Sequence, residues 1–284
     1  GKVEFISRGY FDGVDMAMMI HSGKLPEGKT LSVSQGCNGC ITKNITFKGV
    51  ASHAGGSPEA GKNALYAATC GLNAVNAIRE TFVDSEQGGA AVNAIPETAK
   101  VESYVRGASF DSIRDYNKKV NLALAGAAAS LGCNVELDDH PGYFPLNNDA
   151  NMTEILTEAM EAVTGPGTVT RGSWGTGCTD MGDVSAIMPA IHPHASGSIG
   201  TGHGKDYYVA DKKAGCLYPA QCLTVAASMF LENDAARAKK VLAEAKPYFK
   251  SKEEYLAAID NLTMDKDAVI YNEDGTVTLD FCQR

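Results

Sequence analysis

A chain of 284 residues, 44% hydrophobic and 21% charged, can bury a full core and has room for two domains. Its net charge of -9, with Lys and Arg scattered rather than gathered into a basic patch, argues against nucleic acid or anionic membrane as the main partner. No apolar run approaches the ~20 residues that cross a bilayer, and no basic-then-apolar leader opens the chain, so a small molecule is the expected partner.

In chain order, Val14 to Ile20 is a nearly continuous apolar run ending at His21, as expected of a strand buried on both faces. Cys37-Asn38-Gly39-Cys40 is a CxxC without a second pair, so a glycine-containing hairpin turn with two incidental thiols is preferred over zinc. The eight cysteines sit mostly in core- or helix-like runs, which suits reduced thiols and a cytoplasmic protein. A β-α-β-β-α-β block follows. Its parts are a strand over Ile45 to Val50, a helix from about Glu59 to Thr81 opened by Ser57 and Pro58, and strands near Ala90–Ile95 and Ala99–Val105. A second helix from about Ser109 to Leu131 and a short strand over Asn134 to Leu137 complete it. That pattern predicts a four-stranded antiparallel sheet with two helices on one face, closed by the linker His140-Pro141-Gly142. Beyond it come a helix over Asp149–Val163, a glycine-rich stretch over Gly165–Gly204 and a helix over Ala210–Leu231. Two short helices and a hairpin around Glu273-Asp274-Gly275-Thr276 end the chain. The fold class expected is α/β, with an inserted ferredoxin-like βαββαβ domain.

Several residues in this frame suit chemistry. His53, flanked by Ala54, Gly55 and Gly56 on a loop between strand and helix, is open to another molecule and can donate to an oxyanion; the plain alternative is packing at a helix start. Asn93 and Arg106 can meet across a tight turn at Ile95-Pro96-Glu97 and bind a carboxylate, with a solvated arginine as the equal alternative. His21, at the end of a buried strand, and His203, in a loop with glycines at 197, 200, 202 and 204, are metal candidates. Asp180 and Asp183 are read either as partners orienting a ligating imidazole or as helix-capping residues. His192 and His194 alternate as on a strand and are taken as ordinary strand histidines.

Phe47-Lys48-Gly49-Val50-Ala51-Ser52-His53-Ala54-Gly55, Asn93-Ala94-Ile95-Pro96, Arg106, Cys178 to Ser185 and Gly200-Thr201-Gly202-His203 together resemble the aminoacylase/carboxypeptidase superfamily of metal-dependent amidohydrolases. The nearest branch holds N-acyl-amino-acid amidohydrolases and aminobenzoyl-glutamate hydrolase. The resemblance covers about residues 1–235. It implies a catalytic domain in two segments, 1–42 and 143–240, a lid/dimerisation domain over 43–142 and a C-terminal extension over 241–284.

It further implies two divalent ions, Zn or Mn, with His21 and His203 as ligands of one each. His53 would be the lid histidine that acts at the partner subunit's site in a homodimer, and Asn93 and Arg106 would hold the substrate carboxylate. The family's remaining ligands, and the Glu-Glu pair carrying its general base, belong upstream of the His21 strand and have no counterpart here. The chain is therefore expected to be the C-terminal part of such an enzyme. The leading expectation is hydrolysis of the amide bond of an N-acyl or aminobenzoyl amino acid, or a dipeptide-like compound, with a free carboxylate. The rival is a non-catalytic lid-bearing chain or fragment that dimerises or pairs with a separate catalytic segment, and a weaker third reading is a lid that only binds carboxylates.

Overall fold

The computed structural model describes residues 1–51, 60–78 and 97–282, which form two compact units. His53, Asn93, the strand expected near Ala90–Ile95 and the cap expected at Ser57 lie outside the described residues.

The first unit contains Gly1–Asn38 and Tyr143–Tyr255. The apolar run after Val14 forms parallel pairs, Ala17–Met18 with Ala190–Ile191 and His21–Ser22 with His194–Ala195. These are two parts of one ladder. Met19 N donates to Ile191 O (3.1 Å) and His21 N to Pro193 O (3.0 Å). Pro193 has no N–H to return, which interrupts the regular pattern between the two parts. Strand Leu31–Val33 then pairs antiparallel with His194–Ala195 and parallel with Val169–Arg171.

Helices Ala150–Thr164 and Tyr218–Glu244 supply the rest of this core. Met152, Leu156, Ala159 and Met160 recur at helical spacing and pack with Leu31, Ile191, Cys222 and Phe230. Asp149 caps the first helix by accepting Met152 N (2.9 Å). By length and composition alone the stretch Lys213–Glu244 is apolar enough to cross a bilayer, contrary to the sequence expectation. Its buried residues Cys222, Ala226 and Phe230 instead pack on this core, and its backbone leaves the helical region at residues 232–235.

The second unit contains Gly39–Gly142 and Leu256–Arg284. Its described sheet runs Met264–Asp267, Asn134–Tyr143, Gly39–Lys48, Thr98–Gly107. Helices Ala64–Ile78 and Phe110–Ser130 pack against it through Phe47, Ala67, Val101, Leu124 and Val135. The helix expected from Ser109 is opened by a reciprocal cap: Ser112 N donates to Ser109 Oγ (3.2 Å) and Ser109 N to Ser112 Oγ (3.2 Å).

Four sequence expectations change here. The first helix begins at Ala64, not near Glu59, because Val50 and Lys62 exchange backbone hydrogen bonds (2.9 Å each) and keep the chain extended; Asn63 Oδ1 then accepts Tyr66 N (3.1 Å). Gly49 permits that approach, since a Cβ there would lie 2.1 Å from Lys62 O. The CxxC is not a hairpin, since Gly36–Cys37 pairs with Leu146–Asn147 while Gly39–Lys48 pairs with Thr98–Gly107. His140-Pro141-Gly142 ends the second unit's first segment, as expected, but within strand Asn134–Tyr143 rather than as a free linker, and Thr42 Oγ1 donates to His140 O (3.1 Å).

Finally, the expected extension 241–284 is no unit of its own. Residues 256 onward join the second unit, where Met264–Asp267 pairs antiparallel with Glu136–Asp139. The cause is local: Met264 is buried in the sheet's core, Ala268 N donates to Val135 O (2.8 Å), and the hairpin Val269–Tyr271/Val277–Leu279 follows directly.

One polar cluster is sealed in the second unit. Lys43 and Asp139 are fully buried between sheet and helix as an ion pair. Lys43 Nζ also donates to Asn117 Oδ1 (2.9 Å) and Asn121 Oδ1 (2.5 Å), while both amides donate to Asp139 Oδ2 (2.7 and 2.8 Å). Burial pulls the Lys43 ammonium below its usual range, opposed by the Asp139 charge.

Candidate active-site residues

In the first unit the parallel register sets His21 directly beside His194. His192 lies two residues earlier on the same strand, and the three rings have centroids 5.4 to 5.9 Å apart. His21 Nδ1 is 2.7 Å from the Ser22 carbonyl. A proton on Nδ1 makes that contact a hydrogen bond and leaves Nε2 free, the arrangement expected of a ligating imidazole.

The Ser22 carbonyl also accepts the Tyr207 hydroxyl (3.1 Å). That bond ties the turn carrying His203 to the His21 strand. His203 itself is exposed at φ 61° on this turn. The turn is closed by Asp206, whose Oδ2 accepts Thr201 N (3.1 Å), and by Gly200, where a Cβ would lie 2.2 Å from Asp206 O. Among the described residues no three His, Cys, Asp or Glu side chains converge as a metal cage. The described part alone therefore does not supply the ligand set that two ions require, although His21 suits a place in one.

His192 departs from the reading of it as an ordinary strand histidine. It is 3% exposed, and neither ring nitrogen has a hydrogen-bond partner. Burial, with the neighbouring imidazoles of His194 and His21, pushes it down to about 4, and burial also lowers His194. A neutral, unsatisfied imidazole in a core is costly. The alternation His192-Pro193-His194 after an apolar run is the available signal, and only the pairing with His21 gives it meaning.

The two aspartates separate. Asp180 makes no helix-capping hydrogen bond; it pairs with Lys2 at 2.6 Å. Asp183 is buried, and its Oδ1 accepts Phe144 N (3.2 Å). Its Oδ2 has no partner, and neither does the hydroxyl of fully buried Tyr255. Those two groups act on each other's ionisation without meeting hydrogen-bond geometry. Burial pushes Asp183 up to about 7 and Tyr255 far above its ordinary value. In neither aspartate does a described contact reach His21 or His203.

Arg106 lies on strand Thr98–Gly107, paired with Cys40. Val101 and Val105 face the helices, so Arg106 points to the other face of the sheet together with Tyr104 and Glu102. Its guanidinium stands over the Tyr104 ring, 5.6 Å from the centroid. It has no carboxylate partner among the described residues.

Comparison with known proteins gives this arrangement its setting. Residues 36–130, most of the second unit's first segment, match the family described as a peptidase dimerisation domain, M20_dimer. The likeness of this segment fits the M20 peptidase superfamily. The chain is 26% identical over 207 residues to the Xaa-Arg dipeptidase of Mus musculus, covering 68% of this chain and 46% of that protein. It is 33% identical over 145 residues to the indole-3-acetyl-aspartic acid hydrolase of Enterobacter agglomerans, covering 48% of this chain and 33% of that one. In fold it is similar to YXEP of Bacillus subtilis, described as a dinuclear metal-binding peptidase from the M20 family, with a TM-score of 0.59 at 18% identity over 81% of this chain and 61% of that chain. The chain thus spans about half or less of the curated relatives it matches. These likenesses bear out the superfamily and the α/β fold expected from the motifs.

Proposed function

We propose that this M20 chain serves metal-dependent hydrolysis of the amide bond of an N-acyl, aminobenzoyl or dipeptidyl amino acid with a free carboxylate. The observation that carries the reading is Arg106, a guanidinium on the helix-free sheet face of a peptidase dimerisation domain, without an acidic partner among the described residues. Such a fork takes the two oxygens of an external carboxylate. Asn93 joins it, and His53 donates to the developing oxyanion from across a homodimer formed through the second unit.

Two divalent ions, Zn or Mn, belong to this reading through the family, with His21 and His203 as one ligand of each. The free thiols suit a cytoplasmic setting, and the acidic charge suits a small-molecule substrate. The names of the relatives carry both arginine and aspartic acid, so they leave the side chain of the substrate open.

Joined to a segment that supplies the family's remaining ligands and general base, the protein with Zn or Mn is expected to hydrolyse N-acyl amino acids and to stop when the metal is chelated. Arg106→Ala should raise KM with little change in kcat, and His53→Ala should lower kcat with metal content unchanged. Little or no bound metal together with no turnover would favour the non-catalytic reading, which the absence of a converged ligand group among the described residues supports.

A further inference from the structure

The hairpin that carries His203 is closed on itself. Its strands Ser198–Ile199 and Tyr208–Val209 pair antiparallel. Between them Gly204 N donates to Thr201 O (2.7 Å), Tyr207 N to Gly204 O (3.1 Å) and Thr201 N to Asp206 Oδ2 (3.1 Å). None of these bonds sets where the hairpin stands against His21. Among the described residues two hydrogen bonds do. Ser198 N donates to Gly23 O (3.3 Å) at the base of the hairpin, and the Tyr207 hydroxyl donates to Ser22 O (3.1 Å) from within the turn. The strand end that both reach is fixed in the sheet, since Ser22 pairs with Ala195 and Gly23 N donates to Ala195 O (2.6 Å).

The base bond is long for an N–H donor, and alone it would leave the hairpin free to pivot. A second bond from a separate residue removes that freedom. Its acceptor is shared. A carbonyl oxygen has two lone pairs, and that of Ser22 takes the Tyr207 hydroxyl while lying 2.7 Å from His21 Nδ1. One oxygen thus orients the His21 ring and anchors the turn of His203. Tyr207 is half-buried for this purpose, whereas the next residue, Tyr208, is 58% exposed and its hydroxyl makes no hydrogen bond among the described residues.

We propose that Tyr207 is a positioning residue, whose hydroxyl holds the His203 turn in place against His21 through the Ser22 carbonyl. The proposal rests on the reading of His21 and His203 as ligands of one ion each, and adds the residue that fixes one with respect to the other. Tyr207 is assigned no contact with substrate or ion.

Amide hydrogen exchange on the metal-free chain tests the tie. Tyr207→Phe keeps the ring and removes the donor. The Ser198 amide should then exchange about fivefold faster, the equivalent of one ordinary hydrogen bond. The Thr201 amide, held inside the turn by Asp206, should not change, because the hairpin pivots without melting. Tyr208→Phe should change neither. Unchanged exchange at Ser198 would overturn the proposal. So would an equal rise at Thr201, which would mean that the hydroxyl only keeps the turn folded.

Zinc titration of the protein joined to a segment that supplies the remaining ligands carries the test to the site. In Tyr207→Phe one of the two zinc dissociation constants should rise about fivefold and the other should stay, because His21 keeps its carbonyl. Equal changes in both, or a change in neither, would overturn the positioning role. The exchange readout keeps the two readings apart. A pivoting hairpin in a protein that neither takes up zinc nor hydrolyses amides would leave the tie standing and remove the hydrolase. Two bound ions and hydrolysis, both indifferent to Tyr207→Phe, would do the reverse.

Discussion

The two units bury polar groups in opposite ways. In the second, the Lys43 ammonium meets a carboxylate and two amides, and both amides close on the same carboxylate. In the first, His192, Asp183 Oδ2, Ser198 Oγ and the Tyr255 hydroxyl are buried with no partner. A saturated cluster fixes one arrangement of strand and helix and is costly only if broken. Unsatisfied groups are costly as they stand, and a fold keeps them where something other than stability is served. The contrast is between a cluster that fixes the packing of sheet and helix in the second unit and groups left unsatisfied in the first, His192 beside His21 among them.

Breaking the saturated cluster should have the largest effect. Lys43→Met leaves Asp139 buried and uncompensated and should cost about 3–5 kcal/mol in urea unfolding. Adding Asp139→Asn should recover part of that loss. A Lys43→Met protein of unchanged stability would remove the contrast.

Asp183 tests the other side. Its carboxyl titrates at about 7 in the folded chain against 3.8 for an unperturbed aspartate, so the fold favours the protonated form. Stability is then greatest below the unfolded value and declines as pH rises through the folded one. Asp183→Asn removes that decline. It should match the parent near pH 4 and exceed it at pH 8 by a few kcal/mol, on the order of 1.4 kcal/mol for each pH step between the unfolded and folded values. Equal unfolding free energies at both pH values would place the carboxyl in a satisfied site.

His192→Leu should be neutral or stabilising by about 1–2 kcal/mol, since no hydrogen bond is lost and an unsatisfied ring is replaced by an apolar group of similar size. A marked loss of stability would show that the ring nitrogens have partners after all. The smallest effect is expected at the helix cap of the second unit, where Ser109→Ala should cost ~1 kcal/mol.

Legibility in the sequence follows the range of the interaction. Helix Phe110–Ser130, helix Ala150–Thr164 and the hairpin at residues 272–276 rest on contacts within a few residues, and the sequence announces each of them, with Ser109 and Asp149 turning out to be caps rather than first helical residues. The start of the second unit's first helix is not legible in the same way, because a pairing twelve residues away, Val50 with Lys62, holds the chain extended until Asn63. Of the candidate site, Arg106 and His21 can be picked out as residues, but the place of His194 beside His21 is visible only in the parallel register of the two strands.

The sequence by itself determined an α/β chain with a helix-and-strand block after residue 43. Periodicity and local caps carry that much, because they depend on neighbours along the chain. Tertiary structure alone decided that residues 264–267 join the second unit's sheet, that His194 lies beside His21, and that Lys43 closes on Asp139, 96 residues away. Those outcomes depend on which distant segments exclude water from one another, and spacing along a single chain does not record them.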